Sequence, residues 1–241
     1  MVLAEDEYIR LGKTNQLSLV SKDIVPCPEL ELEDMRFLYK KMRKEGHHYY
    51  TIIKESPFMK RCPYCEKRDV EELDHYLSQK DFPIHCITPA NLIPSCPECN
   101  HDKLASDIEL VHPYFDDTTQ VGWLFCELKI IYGLLIPEYY INFQQTKYDS
   151  KLKQKIVNTF NCLELHTYYA EWAAALITNK TKLWKSQYDS GGVSSLVDLL
   201  EREMNSIDSR LESINSYKKV FYKSFIKFIS ENEDLDFLKT V

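Results

Sequence analysis

The sequence predicts an α+β protein: a small unit stapled by four cysteines and embedded in a mainly α-helical chain. Three observations carry that expectation. Two C-x2-C pairs, Cys62/Cys65 and Cys96/Cys99, flank an insert with little helical periodicity. From Asp149 onward, apolar residues recur at three- and four-residue spacing almost to the end. Only six glycines occur in 241 residues, which suits a largely helical chain.

In chain order, the first thirty or so residues are acidic, with turn signals at Pro26 and Pro28. Residues 31–56 show helical spacing, with Met35, Leu38, Tyr39 and Met42 on one face. The cysteine pairs follow, and then a short helix around residues 100–111. Residues 122–133 and 139–145 are rich in β-branched and aromatic residues, and the intervening LLIPE predicts a hairpin. The remainder reads as three helices. Residues 190–192 (SGG) separate the last two, and Ser195 with Asp198 resembles a capping box opening the final one, which runs on to about Ile229. The expected division is 1–57, 58–115 and 116–241.

Length fits one domain or two small ones, at roughly 100–200 residues per domain. At 44% hydrophobic and 28% charged, the composition is that of a soluble globular protein. No run of about 18 apolar residues occurs, so no membrane partner is expected. The start, MVLAEDEYIR, has acids where a secretory leader needs a basic start and an apolar block. A cytoplasmic location is therefore expected, and in a reducing compartment eight cysteines call for something other than disulfides. Cys27, Cys86, Cys126 and Cys162 read as small core residues.

The net charge of −7 argues against a generic DNA-coating protein. Its distribution is uneven. Between Arg36 and Arg68 lie Lys40, Lys41, Arg43, Lys44, Lys54, Lys60, Arg61 and Lys67, against only Glu45, Glu55 and Glu66. Such an arm is either a solvated helix face or a place to hold phosphates.

A C-x2-C turn sets two thiolates on one side of a knuckle, and two knuckles complete a tetrahedron around zinc. Cys62, Cys65, Cys96 and Cys99 are therefore expected to hold a structural zinc, with no coordination position left open. Between the knuckles run Leu73, Asp74 and His75, then Asn91 and Leu92, with Asn100 and Lys103 directly after the second pair. In these positions the chain resembles the HNH endonucleases, the ββα-metal or His-Me finger family. The resemblance covers about a fifth of the chain, and its ordered set of positions is what makes it specific.

That resemblance implies a two-stranded hairpin followed by a helix, with a divalent metal between them. It implies His75 as general base, Asp74 and Asn100 as ligands of a catalytic magnesium or manganese, and Asn91 as the residue that steadies the histidine. Asn100 stands where the family name has its last histidine. A side-chain oxygen there favours magnesium over a transition metal. Lys103, three residues after Asn100, is placed to meet a phosphate. A regular strand would send the Asp74 and His75 side chains to opposite faces, which the family resolves with a bent hairpin. His85 reads as a loop residue and His112 as a structural hydrogen-bonder.

The expected activity is phosphodiester hydrolysis, with DNA as substrate on family analogy. The segment around the insert is also loosely similar to the HNH subunits of Septu-type phage-defence systems, which implies an antiviral or restriction effector with an ATPase or sensor partner. Trp172, Trp184, Phe160, Tyr168 and Tyr169 read as core. The last helix, with Leu211, Ile214, Tyr217, Val220, Phe221 and Phe225, suggests either core or a self-association face. The competing reading is a non-enzymatic zinc module that binds nucleic acid or a protein.

Overall fold

A computed structural model describes residues 2–20, 32–44, 48–104, 108–144, 147–210, 212–232 and 235–239. Pro26, Cys27, Pro28, His47 and Leu211 lie outside the described residues. The chain divides into two compact units, Met1–Asp117 and Thr118–Val241. It is a mixed α+β architecture: mostly helical, with two separate two-stranded antiparallel sheets among the described residues. No helix among the described residues is long and apolar enough to cross a membrane.

The first unit opens with helix α1 (Val2–Lys13), where the sequence had suggested no element. It buries Tyr8 and Leu11, three residues apart on one face. Helix α2 (Leu32–Lys44) and helix α3 (His48–Lys54) follow. On α2, Met35 and Tyr39 are buried as the spacing predicts, whereas Leu38 stays exposed. Strands β1 (Glu72–His75) and β2 (Leu92–Ser95) pair antiparallel, with Asp74 opposite Ile93 and His75 opposite Leu92. Helix α4 (Pro97–Leu104) starts directly after β2. Tyr39, Leu73, Cys86 and Leu92 form a small buried cluster, joined by Met42, Tyr50 and Ile53, so α2 and α3 pack on the hairpin.

The second unit is a hairpin against helices. Strands β3 (Leu124–Ile131) and β4 (Leu134–Ile141) alternate buried and open residues, as a one-sided sheet must. The turn is Tyr132–Gly133, both at positive φ (52° and 77°), the backbone of a two-residue type I′ turn. LLIPE is therefore not the connection. It lies inside β4, because only the Tyr-Gly pair matches the twist of the two strands.

Helix α5 (Ser150–Cys162) is capped by Asp149, whose carboxylate accepts from the Leu152 amide at 2.8 Å. Helix α6 (Leu165–Asn205) is broken inside at Gly191 and Gly192. Gly192 has φ 68° and ψ −160°, a region open essentially to glycine alone. The break sits at these glycines, and the Ser195 hydroxyl is 2.6 Å from Gln187 Nε2. The expected single final helix is two: it stops at Asn205 and restarts as α7 (Tyr217–Glu231), capped by Ser216. Asn215 explains the stop. Its buried amide accepts from the backbone N–H of Trp123 (2.8 Å) and Leu124 (3.3 Å) and donates to the carbonyls of Thr118 (2.9 Å) and Val121 (3.2 Å). Tyr217, Val220, Phe221 and Phe225 are buried in this unit's own core with Trp184, Tyr169 and Leu200.

Asn215→Ala strands two buried backbone donors and removes one bond from each of two carbonyls that keep another donor, each buried loss worth about 1 kcal/mol or more. Urea unfolding should show the second unit weakened by about 3 kcal/mol. A change under about 0.5 kcal/mol, typical of an exposed site, would contradict the role given to Asn215.

Candidate functional site

The staple is built from local backbone geometry. The Cys62 amide donates to the Arg68 carbonyl at 2.9 Å, and the Glu66 amide donates back to the Cys62 carbonyl at 2.8 Å. Glu66, just after Cys65, has φ 56°, which turns the first knuckle. The second knuckle is the start of α4, where the Cys99 amide faces Cys96 Sγ at 3.5 Å. All four sulfurs lie within 4.8 Å of one another and all four residues are buried. A tetrahedron with Zn–S bonds of about 2.3 Å has edges of about 3.8 Å, so the cluster is positioned as a candidate zinc site.

Hydrogen bonds among the crowded sulfurs push the Cys65 thiol well down and Cys96 down to about 7, while Cys62 and Cys99 are held above the ordinary thiol range. Such uneven sharing of protons follows from packing four thiols together, and a divalent cation replaces those protons when all four ionise. Arg68 sits beside the cluster. Against the opposing effect of burial, Glu98 and then Cys65, Cys96 and Cys99 raise its pKa.

The staple positions α4 beneath β1. Asp74 is 2% exposed. Its Oδ1 accepts from Lys103 Nζ at 2.9 Å and its Oδ2 accepts from the Tyr64 hydroxyl at 2.8 Å. The same ammonium donates to the His75 carbonyl at 2.6 Å. Asn100, one turn earlier on α4, donates through Nδ2 to Glu72 Oε2 at 2.5 Å. That bond fixes the amide orientation, and Oδ1 has no partner among the described residues. Glu72 and Asp74, two apart on β1, thus meet Asn100 and Lys103, three apart on α4.

His75 looks elsewhere, as strand alternation requires. Its ring packs edge-on against Tyr39 at 4.4 Å between centroids. Nε2 lies 3.0 Å from the Cys86 carbonyl oxygen. A carbonyl can only accept, so Nε2 carries the proton and Nδ1 keeps the lone pair. The Gln79 side-chain amide donates to Nδ1 at 3.3 Å. Burial holds the His75 pKa below the ordinary imidazole value of 6.5, opposed but not cancelled by the Cys86 hydrogen bond and the Asp74 charge.

Asn91 is fully buried and uses every hydrogen-bonding position it has. Its Oδ1 accepts from the Leu77 amide (2.7 Å) and the Tyr8 hydroxyl (2.9 Å), and its Nδ2 donates to the Leu77 (3.1 Å) and His85 (3.0 Å) carbonyls. The loop after His75 is thereby closed onto β2. His112 Nε2 lies 3.3 Å from the Tyr8 hydroxyl, and its Nδ1 accepts from the Tyr114 amide, a structural place. His85 is also structural: it packs on Tyr8 at 4.9 Å and faces Thr88, and burial pushes its pKa down to about 4.

The basic arm is partly spent inside the first unit. Arg36 donates to the Gln79 and Lys80 carbonyls, while Lys60 pairs with Glu55, Arg61 with Asp69 and Arg68 with Glu98. Lys40, Arg43 and Lys44 are exposed on α2. Residue spacing could have exposed Glu72, two before Asp74 on the same strand face. Tyr8, Tyr39 and Gln79 carried no such signal, since only the tertiary fold brings them to Asn91 and His75.

A stretch of 80 residues is 30% identical to Protein ea31 of Escherichia phage lambda. It covers 30% of this chain and 27% of that protein, so the chain spans about a quarter of that relative's length. No family model matches, and no solved structure matches.

Purified protein should carry one zinc per chain by elemental analysis. Cys99→Ser should lose it and, with it, the ordered hydrogen-exchange protection of β1, β2 and α4, because a staple's binding energy is folding energy. Full protection after stripping the metal with a chelator would contradict a structural role.

Proposed function

We propose that this chain is a metal-dependent endonuclease of the HNH type, hydrolysing DNA phosphodiester bonds. The observation that carries the reading is the state of His75. Burial keeps the imidazole neutral and the Cys86 carbonyl fixes the Nε2 proton, so Nδ1 keeps the lone pair that can accept a proton. In the proposed reaction Nδ1 takes a proton from water, the water oxygen bonds to phosphorus, the bond from phosphorus to the 3′-oxygen breaks, and the leaving 3′-oxygen takes a proton from solvent water. The products are a 5′-phosphate and a 3′-hydroxyl.

Asp74 and Asn100 Oδ1, which has no partner among the described residues, offer hard oxygens, which fit magnesium or manganese held by few protein ligands. When bound, such an ion supplies Lewis-acid stabilisation of the phosphoryl and leaving oxygens. Asn91 holds the loop after His75, and Tyr39 fixes the ring's attitude. Lys103 has its ammonium on Asp74, so in this reading it neutralises that carboxylate and a phosphate contact would require it to turn. The four cysteines hold zinc as a structural ion. We extend the proposal to an effector role in bacterial anti-phage defence or restriction, with an ATPase or sensor partner, on the resemblance alone.

A second reading is a non-enzymatic zinc module that binds nucleic acid or a protein. One observation favours it: both oxygens of Asp74 already have partners, Lys103 and Tyr64.

Zinc-loaded protein with magnesium should nick plasmid DNA, and His75→Ala should lower the rate at least about 100-fold, the scale of a general base, with zinc content unchanged. Equal nicking by the variant would sink the mechanism. The base must be deprotonated to act, so activity should hold at neutral pH and fall in acid with a midpoint below 6.5, the direction of the His75 shift. An acid limb centred above 6.5 would contradict the buried, neutral imidazole.

A further inference from the structure

The one nitrogen of His75 able to accept a proton is covered, and helix α2 holds the cover. Gln79 lies half-buried in the loop after β1, its amide N–H on Nδ1 at 3.3 Å. The loop keeps its shape through Ser78, whose hydroxyl donates to Asp81 and whose carbonyl accepts from the Phe82 amide. Arg36 on α2 then fastens the loop from outside: Nε and Nη2 donate to the Gln79 carbonyl at 3.3 Å each, and Nη2 to the Lys80 carbonyl at 3.2 Å. One turn along the same helix, Tyr39 supports the imidazole ring. One helix therefore holds both the base and its cover, through separate side chains.

We propose that Gln79 is a positioning residue that shields His75 Nδ1 at rest, and that Arg36 releases it on taking up a backbone phosphate of the nucleic-acid substrate. The proposal rests on the nuclease reading of His75. Its energetics follow from the bonds. Three contacts of 3.2–3.3 Å to neutral carbonyls are at the long end of the hydrogen-bond range. A phosphate oxygen brings a charge that a carbonyl lacks, and it accepts from a guanidinium in shorter bonds, often two in parallel. Arg36 lies among the exposed cations Lys40, Arg43 and Lys44 of α2, where a polyanion is drawn first. With Arg36 turned to a phosphate, the Gln79 loop loses its outer fastening while Tyr39 still holds the ring. Nδ1 then opens to water only when substrate is present.

Carbethoxylation of histidine by diethyl pyrocarbonate, mapped by mass spectrometry on the zinc-loaded full chain, reads the cover without any cleavage assay. The reagent attacks an imidazole lone pair, which in His75 is Nδ1. Gln79→Ala and Arg36→Ala should each label His75 about fivefold faster than the native chain, the scale of one neutral hydrogen bond. The exposed His48 and His101 should label at unchanged rates. Gln79→Met keeps the side-chain bulk without a donor and should behave as Gln79→Ala does. Equal His75 labelling in native, Q79A and Q79M chains overturns the cover. Q79A should also nick DNA faster than the native chain; faster labelling with slower nicking overturns it too. The H75A chain decides the nuclease reading separately, since labelling rates in the other chains do not depend on cleavage.

Discussion

Four thiols drawn within 4.8 Å of one another are the constraint on which the rest of the first unit depends. Two-stranded sheets of four residues and an eight-residue helix have too little apolar surface to hold a fixed geometry in water. Tying the turn before β1 to the first turn of α4 removes that freedom. It sets α4 against β1 so that Asn100 meets Glu72 and Lys103 meets Asp74. Ionised thiolates packed without a cation would repel one another in a buried place, which is why a cluster of this geometry suits a metal ion.

Around this staple, burial separates the two neighbours Asp74 and His75 into different chemical settings. Asp74 faces α4 and accepts from an ammonium and a phenol. His75 faces α2 and stays neutral through desolvation. Adjacent residues with opposite electrostatic requirements are what a strand's alternation provides, and they are also what a reaction needs when one group must stay charged and another must accept a proton. Buried polar groups cost free energy unless paired. The network through Tyr8, Asn91 and His112 meets that cost and fixes the loop that returns to β2.

The sequence made the staple legible because C-x2-C spacing encodes a local turn, and local geometry survives any fold. Asp74, His75, Asn91, Asn100 and Lys103 were legible as an ordered set, and the structure brings them into one unit on β1, the turn before β2, and α4. Their neighbours were not. Tyr8 lies 83 residues from its partner Asn91, a separation no periodicity reports. Helices α5 and α6 followed apolar spacing, but the break before α7 is due to Asn215 pairing with the start of β3 more than ninety residues away. The hairpin was placed correctly in kind and wrongly in register, because positive φ at Tyr132 is not visible in a tyrosine.

The central claim is that the β1–α4 face beside His75 receives a divalent cation distinct from the zinc. Titrating manganese into zinc-loaded, isotope-labelled protein and following backbone signals by NMR tests it directly, since the bound ion broadens only nearby nuclei. The account predicts that the signals of Asp74, His75, Asn100 and their immediate neighbours are the first in the unit to be lost. Signals around Asp74 and Asn100 that stay sharp while manganese binds elsewhere, or does not bind, would contradict it.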